Sequence, residues 1–360
     1  LTKDQYFVDS LSDFKNNISK IVSLINKTAK IEFDWSNSDK AKFLDQNQLV
    51  AIQKAVAGKA QSELVNIFAP YIKPKLKELF GDRLSYKIRV SAQVKSLWKA
   101  EVGKEKRKGF FVDEIFYEDK NKPSICFPTR AHQDLDNNGN RSSHTIIFYF
   151  QLTPNLKRAS NMEFGQFSEK VGILPFSSEW GYPNEILHKV QQEIDWISPD
   201  LKPGNIVTMN SLTPHRSTYI SEFPRIALNV KIQPSNLCYL ENIYGYSLSE
   251  MSKLTSFESK IIFLKDILIS LSKKQRLALF ELAVVYFLLG DKINGIKTLK
   301  KLFLYPVDNQ ILERCLIASI SRKHITNVKL EDLSKTLNPI ESVVKLSCGD
   351  AILETIKLYS

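Results

Sequence analysis

Between residues 86 and 232 the chain carries a series of short segments with strand character, and no helix-period segments alternate regularly with them. Tyr86–Val94 alternates, with Ile88, Val90 and Ala92 on one face. Phe110–Tyr117 and Thr145–Leu152 are rich in aromatic and β-branched residues, and Asn205–Met209 and Ile226–Ile232 are further strand candidates. Pro-, Asn-, Gly- and Ser-rich stretches separate them, notably Asp134–Ser143 and Pro175–Pro183. A doubly wound sheet needs a helix between successive strands, so this pattern argues against it. An antiparallel double-sheet barrel is the expected core.

Helical periodicity flanks that block on both sides. Phe14, Ile18, Ile21, Val22 and Ile25 recur at helical spacing. Two further helices are predicted over Gln46–Ala57 and Ser62–Phe80, the latter broken or kinked at Pro70 and Pro74. From Ser247 onward helices are predicted over Ser256–Ser270, Lys274–Leu289, Ile293–Leu304, Gln310–Ser321 and Ala351–Tyr359. The class is therefore α+β. The expected division is a domain over 1–245, N-terminal helices included, and a helical C-terminal region over 246–360. The spacing of Leu279, Leu282, Ala283, Tyr286, Gly290, Gly295, Leu299 and Pro306 suits a tetratricopeptide-type hairpin, although one unit alone reads better as a helical cap on the barrel. The apolar tail also offers a surface for a homodimer.

Composition narrows the function classes. Hydrophobic residues make up 43% of the 360 and charged residues 25%, ordinary proportions that exclude global disorder. Four cysteines, with no C-x-x-C pair, argue against a zinc ribbon or redox motif and point to a reducing, cytoplasmic setting. The most apolar run, Leu277–Leu289, is interrupted by Glu281, so no membrane span is expected. The formal net charge of +11 is spread along the chain in short clusters such as Lys104–Lys108, which counts against a nucleic-acid interface.

The chemistry resides in the histidines, of which there are five. His132 and Asp134 are two residues apart. On an extended segment both point to one side, so an imidazole and a carboxylate can share one metal. His215 follows the Asn205–Met209 strand and supplies a second imidazole. Two histidines and one carboxylate form the facial triad of non-haem Fe(II) oxygenases, which leaves coordination positions open for substrate and O2. Arg225 opens the next strand, and a planar guanidinium suits bidentate pairing with a co-substrate carboxylate. An isolated H-x-D is weak evidence. The order, wide separation and strand-and-turn settings of these four residues make the set specific.

The arrangement resembles the Fe(II)/2-oxoglutarate-dependent dioxygenases, most closely their phytanoyl-CoA dioxygenase-like branch. The resemblance covers about residues 85–235. It rests on His132-Gln133-Asp134, the strand from Thr145 to Thr153, and Gly204 through His215 to Pro224-Arg225-Ile226-Ala227-Leu228. It implies a double-stranded β-helix, the jelly-roll core shared with cupins. It also implies Fe(II) held by His132, Asp134 and His215, with 2-oxoglutarate as co-substrate and its distal carboxylate on Arg225. Ser217 matches a position that helps hold that carboxylate, and Tyr149 matches an aromatic position lining the co-substrate site. The Met162–Pro175 stretch lacks the family's usual Pro-Gly-Ser-His segment, so the substrate loops do not carry over. Arg130 and Arg216 flank metal ligands, Lys87 and Arg89 lie on an early strand, and His144 begins the strand after the metal loop. These point to a polar, possibly anionic, small-molecule substrate: a sugar, a nucleotide- or phosphate-linked metabolite or a natural-product intermediate. The expected activity is hydroxylation in a biosynthetic pathway, with release of succinate and CO2. The competing readings are a protein hydroxylase that docks its substrate on the helical tail, and a jelly-roll binding scaffold without catalysis.

Overall fold

The computed structural model describes residues 6–10, 15–33, 35, 45–82, 86–95, 131–134, 145–153, 161–166, 174, 176–177, 185–217, 225–302 and 348–360. The strand expected over Phe110–Tyr117 and the helix over Gln310–Ser321 lie outside these residues.

After a first strand, the described N-terminal residues form α1 (Lys15–Ala29), α2 (Gln46–Ala57) and α3 (Gln61–Phe80). The start of α2 is locally encoded. The Asp45 carboxylate accepts from the Gln48 N–H at 2.8 Å, and Gln48 Oε1 accepts from the Asp45 N–H at 2.9 Å, a complete capping box. Of the break or kink expected in α3, the break does not occur; the helix runs through both Pro70 and Pro74. Both prolines are exposed, so the carbonyls that lose their helical partners face water.

The strands build two antiparallel sheets. The larger holds β1 (Tyr6–Ser10), β2 (Tyr86–Lys95), β3 (Ile146–Gln151), β8 (Asn205–Asn210) and β10 (Arg225–Pro234), in the order β1-β8-β3-β10-β2. The smaller holds β4 (Met162–Gln166), β7 (Asp195–Ile197) and β9 (His215–Ser217), in the order β7-β4-β9. A further short pair joins β5 (Phe176–Ser177) to β6 (Glu185–Ile186). No regular strand–helix alternation occurs among the described residues, which agrees with the sequence pattern.

Register sorts the large sheet into two faces. Val90 pairs with Val230, and Val230 with Phe148. Ala92 pairs with Leu228, and Leu228 with Phe150. These side chains join α1–α3 in one core; Phe68 meets the Phe150 ring edge-on at 5.7 Å, and Gln61 Nε2 donates to the Val90 carbonyl at 2.6 Å. Burial of this apolar face supplies the main driving force for the sheet–helix layer. On the opposite face Ile147, Tyr149, Val207, Met209 and Ala227 pack against Met162 and Phe164 of the smaller sheet. This face of the large sheet is thus apolar under β4 and more polar along β10 and β2.

The C-terminal helices are α4 (Phe257–Ser272), α5 (Leu279–Leu288), α6 (Lys292–Leu302) and α7 (Cys348–Leu358). α5 and α6 form a hairpin. Gly290, with φ +76°, makes its turn, and a Cβ on Gly295 would stand 2.7 Å from the Phe287 ring. This region shares one hydrophobic cluster with the sheet and the N-terminal helices. Polar ties reinforce the junction: the Leu237 N–H donates to Thr355 Oγ1 at 2.7 Å, and the Tyr239 hydroxyl donates to Glu281 Oε1 at 3.1 Å. No helix among the described residues is long and apolar enough to cross a membrane.

Candidate metal centre

His132 and His215 come from segments 83 residues apart and are locked together by their backbones. Each N–H donates to the other's carbonyl, at 3.1 and 3.0 Å, and the two rings stand 4.2 Å apart. His215 heads β9, whose residues Ser217, Arg216 and His215 pair with Met162, Glu163 and Phe164 of β4. The sequence pattern suggested a turn here. A strand of three residues leaves almost no period-2 signal, and only its pairing to β4 defines it.

The approach to His215 is built by a turn. The Asn210 side-chain oxygen accepts from the Leu212 N–H at 2.8 Å, and the Thr213 N–H donates to the Asn210 carbonyl at 3.2 Å. Gly165 then allows close approach. Its N–H donates to the Pro214 carbonyl at 2.7 Å, and a Cβ there would lie 2.5 Å from Ile194 Cγ2 and 3.0 Å from Pro214 Cβ. Gln133, between the two ligands of the H-x-D segment, points away from them into the protein. Its amide donates to the Leu212 carbonyl at 2.6 Å, and its oxygen accepts from the Leu174 N–H at 2.8 Å.

One ligand atom from each of His132, Asp134 and His215 lies within 4.8 Å of the other two. His215 Nδ1 faces the Thr213 carbonyl at 3.0 Å, which places the ring proton on Nδ1 and leaves Nε2 as the donor to a metal. Burial, followed by the neighbouring His132, lowers the His215 pKa to about 3, so its imidazole is neutral at ordinary pH. Burial of Asp134 opposes its ionisation. The Lys231 ammonium, 2.7 Å from Oδ2, and His132 outweigh that and hold the carboxyl well below its usual range. The other oxygen, Oδ1, lies 3.6 Å from His132 Nε2. Two imidazoles and one carboxylate suit a divalent first-row transition metal and leave half of an octahedral shell free.

Along β10 a second feature leads away from this triad. Arg225, Ala227, Asn229 and Lys231 occupy one face of the strand, towards the smaller sheet. Arg225 is 2% exposed. One of its terminal nitrogens donates to Ser217 Oγ at 3.1 Å, while Nε and Nη1 are buried without a partner. Burial lowers its pKa, and the adjacent Tyr149 counters that shift; burial raises the Tyr149 pKa, with Arg225 opposing. The Tyr149 hydroxyl donates to Gln151 Oε1 at 2.9 Å. A buried guanidinium with two free nitrogens is costly without an anion. A carboxylate fits this donor set, since its two oxygens can accept charge-assisted N–H bonds from the guanidinium. Ala227 beside it is fully buried in the apolar cluster, and Asn229 presents a buried oxygen with no partner.

The structure thus brings together His132, Asp134 and His215, and separately Arg225, Ser217 and Tyr149. Arg216 lies on the opposite face of β9 from His215 and Ser217. It pairs with Glu163 Oε2 at 2.6 Å and stacks on Trp196 at 4.1 Å. His188 is exposed on a single helical turn. Arg130 and His144 lie outside the described residues. Sequence reasoning missed Gln133, Asn229 and Lys231. The last two were signalled by the polar half of the alternating β10 sequence Arg-Ile-Ala-Leu-Asn-Val-Lys-Ile.

No family model matches the sequence, and no curated protein matches it. Solved structures match at low identity and with TM-scores below 0.5. A non-haem monooxygenase, ThoJ, has a TM-score of 0.37 at 13% identity, covering 65% of this chain and 75% of its own. SnoK, a non-haem α-ketoglutarate-dependent carbocyclase from nogalamycin biosynthesis, has a TM-score of 0.37 at 13% identity, covering 65% and 81%. EctD from S. alaskensis, solved with 2-oxoglutarate and 5-hydroxyectoine, has a TM-score of 0.33 at 12% identity, covering 65% and 73%.

Proposed function

We propose that this protein is an Fe(II)- and 2-oxoglutarate-dependent oxygenase with a jelly-roll core, of the phytanoyl-CoA dioxygenase-like branch, that hydroxylates a polar small molecule. One observation carries the reading: a His-Asp-His triad and a buried, partly unpartnered guanidinium occur together between two antiparallel sheets. A scaffold would gain nothing from keeping Arg225 charged and short of partners inside its core.

When bound, Fe(II) with 2-oxoglutarate and O2 supplies oxidative decarboxylation coupled to C–H hydroxylation, releasing succinate and CO2. The chain's own residues bind and orient. Neutral His215 offers Nε2 because Thr213 holds its other nitrogen. Asp134 offers Oδ1 while Lys231 engages Oδ2. Arg225 and Ser217 receive the distal carboxylate of the co-substrate, with Tyr149 alongside. Phe164, Met162, Val207 and Met209 pack beside Tyr149 and Ala227 and would keep water from the co-substrate.

The test is an anaerobic titration with Fe(II) and then 2-oxoglutarate, following the visible metal-to-ligand charge-transfer band. The band appears in wild type and is absent in His132→Ala. Iron binding without a band would remove the co-substrate, and failure to bind iron would leave the scaffold reading.

A further inference from the structure

The pairing of β2 with β10 extends the face that carries Arg225 and Lys231 by a row of β2 residues that the metal and co-substrate sites do not use. Directly opposite residues of an antiparallel pair share a face. Val94, Ala92, Val90 and Ile88 of β2 turn toward the helices. Gln93, Ser91, Arg89 and Lys87 therefore share the concave face with Ala227, Asn229, Lys231 and Gln233, their respective partners. Among the described residues β2 is an edge strand of its sheet, and this half of the face carries no large apolar side chain. The other half, on β3 and β8, is apolar and lies under the smaller sheet.

Two cations stand directly opposite each other on this floor, Arg89 and Lys231, with Lys87 two residues further along. Like charges in that position destabilise a strand pair. Lys231 is compensated by Asp134 at 2.7 Å, at the edge of the metal triad. Arg89 and Lys87 are exposed, and no described acid lies within ion-pair distance of either. A metal on Asp134 would draw on the same carboxylate that now balances Lys231, so the floor becomes more positive when the site is loaded. The surplus sits at the metal end of β10, six residues from the guanidinium assigned to the co-substrate.

We propose that Arg89, Lys87 and Lys231 form a recognition site for an anionic oxygen group, phosphate or carboxylate, on the organic substrate. The proposal rests on the oxygenase reading and names the substrate class of that site. Arg89 supplies a fork for two oxygens of the anion, the lysines supply point charges, and Ser91 offers a hydroxyl on the same row. The arrangement sets the anion on the β2 side of the metal and directs the rest of the substrate toward the triad.

The experiment measures binding of phenyl phosphate, benzoate and neutral phenol to the anaerobic Fe(II)- and 2-oxoglutarate-loaded protein by calorimetry, recording the charge-transfer band in the same sample. Wild type binds one or both anions and not phenol, and the tighter anion identifies the group. Arg89→Ser weakens that binding by about tenfold, and Arg89→Ser with Lys87→Ser weakens it further, as expected for loss of charge-assisted contacts. Both substitutions are at exposed positions, and the band reports that the loaded site persists. A band of full intensity with equal anion affinity in wild type and variants overturns this inference alone. Binding of neither anion by the banded wild type does the same. Absence of the band in wild type overturns the oxygenase reading beneath it.

Discussion

His132 and His215 donate their backbone N–H groups to each other's carbonyl oxygens, at 3.1 and 3.0 Å, so the spacing of the two imidazoles is set by main chain. A side-chain substitution at either position removes a ligand without removing that bridge. His132→Ala and His215→Ala should therefore lose metal affinity by more than about a hundredfold while far-ultraviolet circular dichroism stays at wild-type intensity. Unaltered metal titration in either variant would exclude that residue as a ligand.

Acid should destabilise the metal-free protein in a defined window. The folded pKa of His215 is about 3 and its unfolded value is 6.5. Above pH 6.5 neither state is protonated and this residue adds no pH dependence. Between pH 6.5 and about 3 the unfolded state binds one more proton, so stability falls as pH falls, by ~1.4 kcal/mol per unit at most. Below about 3 the effect is complete. Asp134, whose folded pKa is depressed, adds its own loss as pH falls below its unfolded value of 3.8. Thermal unfolding from pH 7 to 4 should show a shallower slope in His215→Gln than in wild type.

Arg225 should show stability and binding moving in opposite directions. Arg225→Met removes a buried charge with two unpartnered nitrogens and keeps most of the side-chain volume. The metal-free protein should gain on the order of 1 kcal/mol in chemical unfolding. The same variant should bind 2-oxoglutarate about a hundredfold more weakly, because a charge-assisted bidentate pair is lost. A variant that is destabilised and binds the co-substrate normally would contradict both assignments.

Gly165→Ala tests whether close packing positions His215. The new methyl would meet Ile194 at 2.5 Å and Pro214 at 3.0 Å. Relief requires β4 and the 213–215 segment to separate, at a cost of about 1–3 kcal/mol. Denaturant unfolding should report that loss. Metal affinity should fall with it, because Pro214 adjoins a ligand.

Gln133→Ala should act on the metal loop without touching metal. It leaves the Leu212 carbonyl and the Leu174 N–H without their buried partner, at about 1–3 kcal/mol for each group left unsatisfied. Gln133→Glu keeps one acceptor and loses the donor, so it should restore part of the stability. Equal stability of Gln133→Ala and wild type would show that Gln133 does not brace the loop.

Local chemistry alone determines much of this protein. The capping box at Asp45 and Gln48 starts α2, and period-2 alternation marks β2 and β10 because each has one face on the helices and one on the concave side. The two-residue spacing of His132 and Asp134 places both on one side of an extended segment. Those signals lie within a few residues of each other, where backbone geometry alone relates them.

Tertiary structure decided the rest. The three-residue β9 exists because β4 pairs with it, and the exposed faces of Pro70 and Pro74 let α3 continue where proline chemistry predicts a break. Arg216 and Ser217 are neighbours in the chain, yet one is drawn to Glu163 and Trp196 and the other to Arg225. Lys231 reads as an ordinary strand lysine until folding sets it 2.7 Å from Asp134, 97 residues earlier. The identity of a side chain and its local backbone are properties of the chain; its burial, its partner and therefore its charge state depend on which distant segment packs against it.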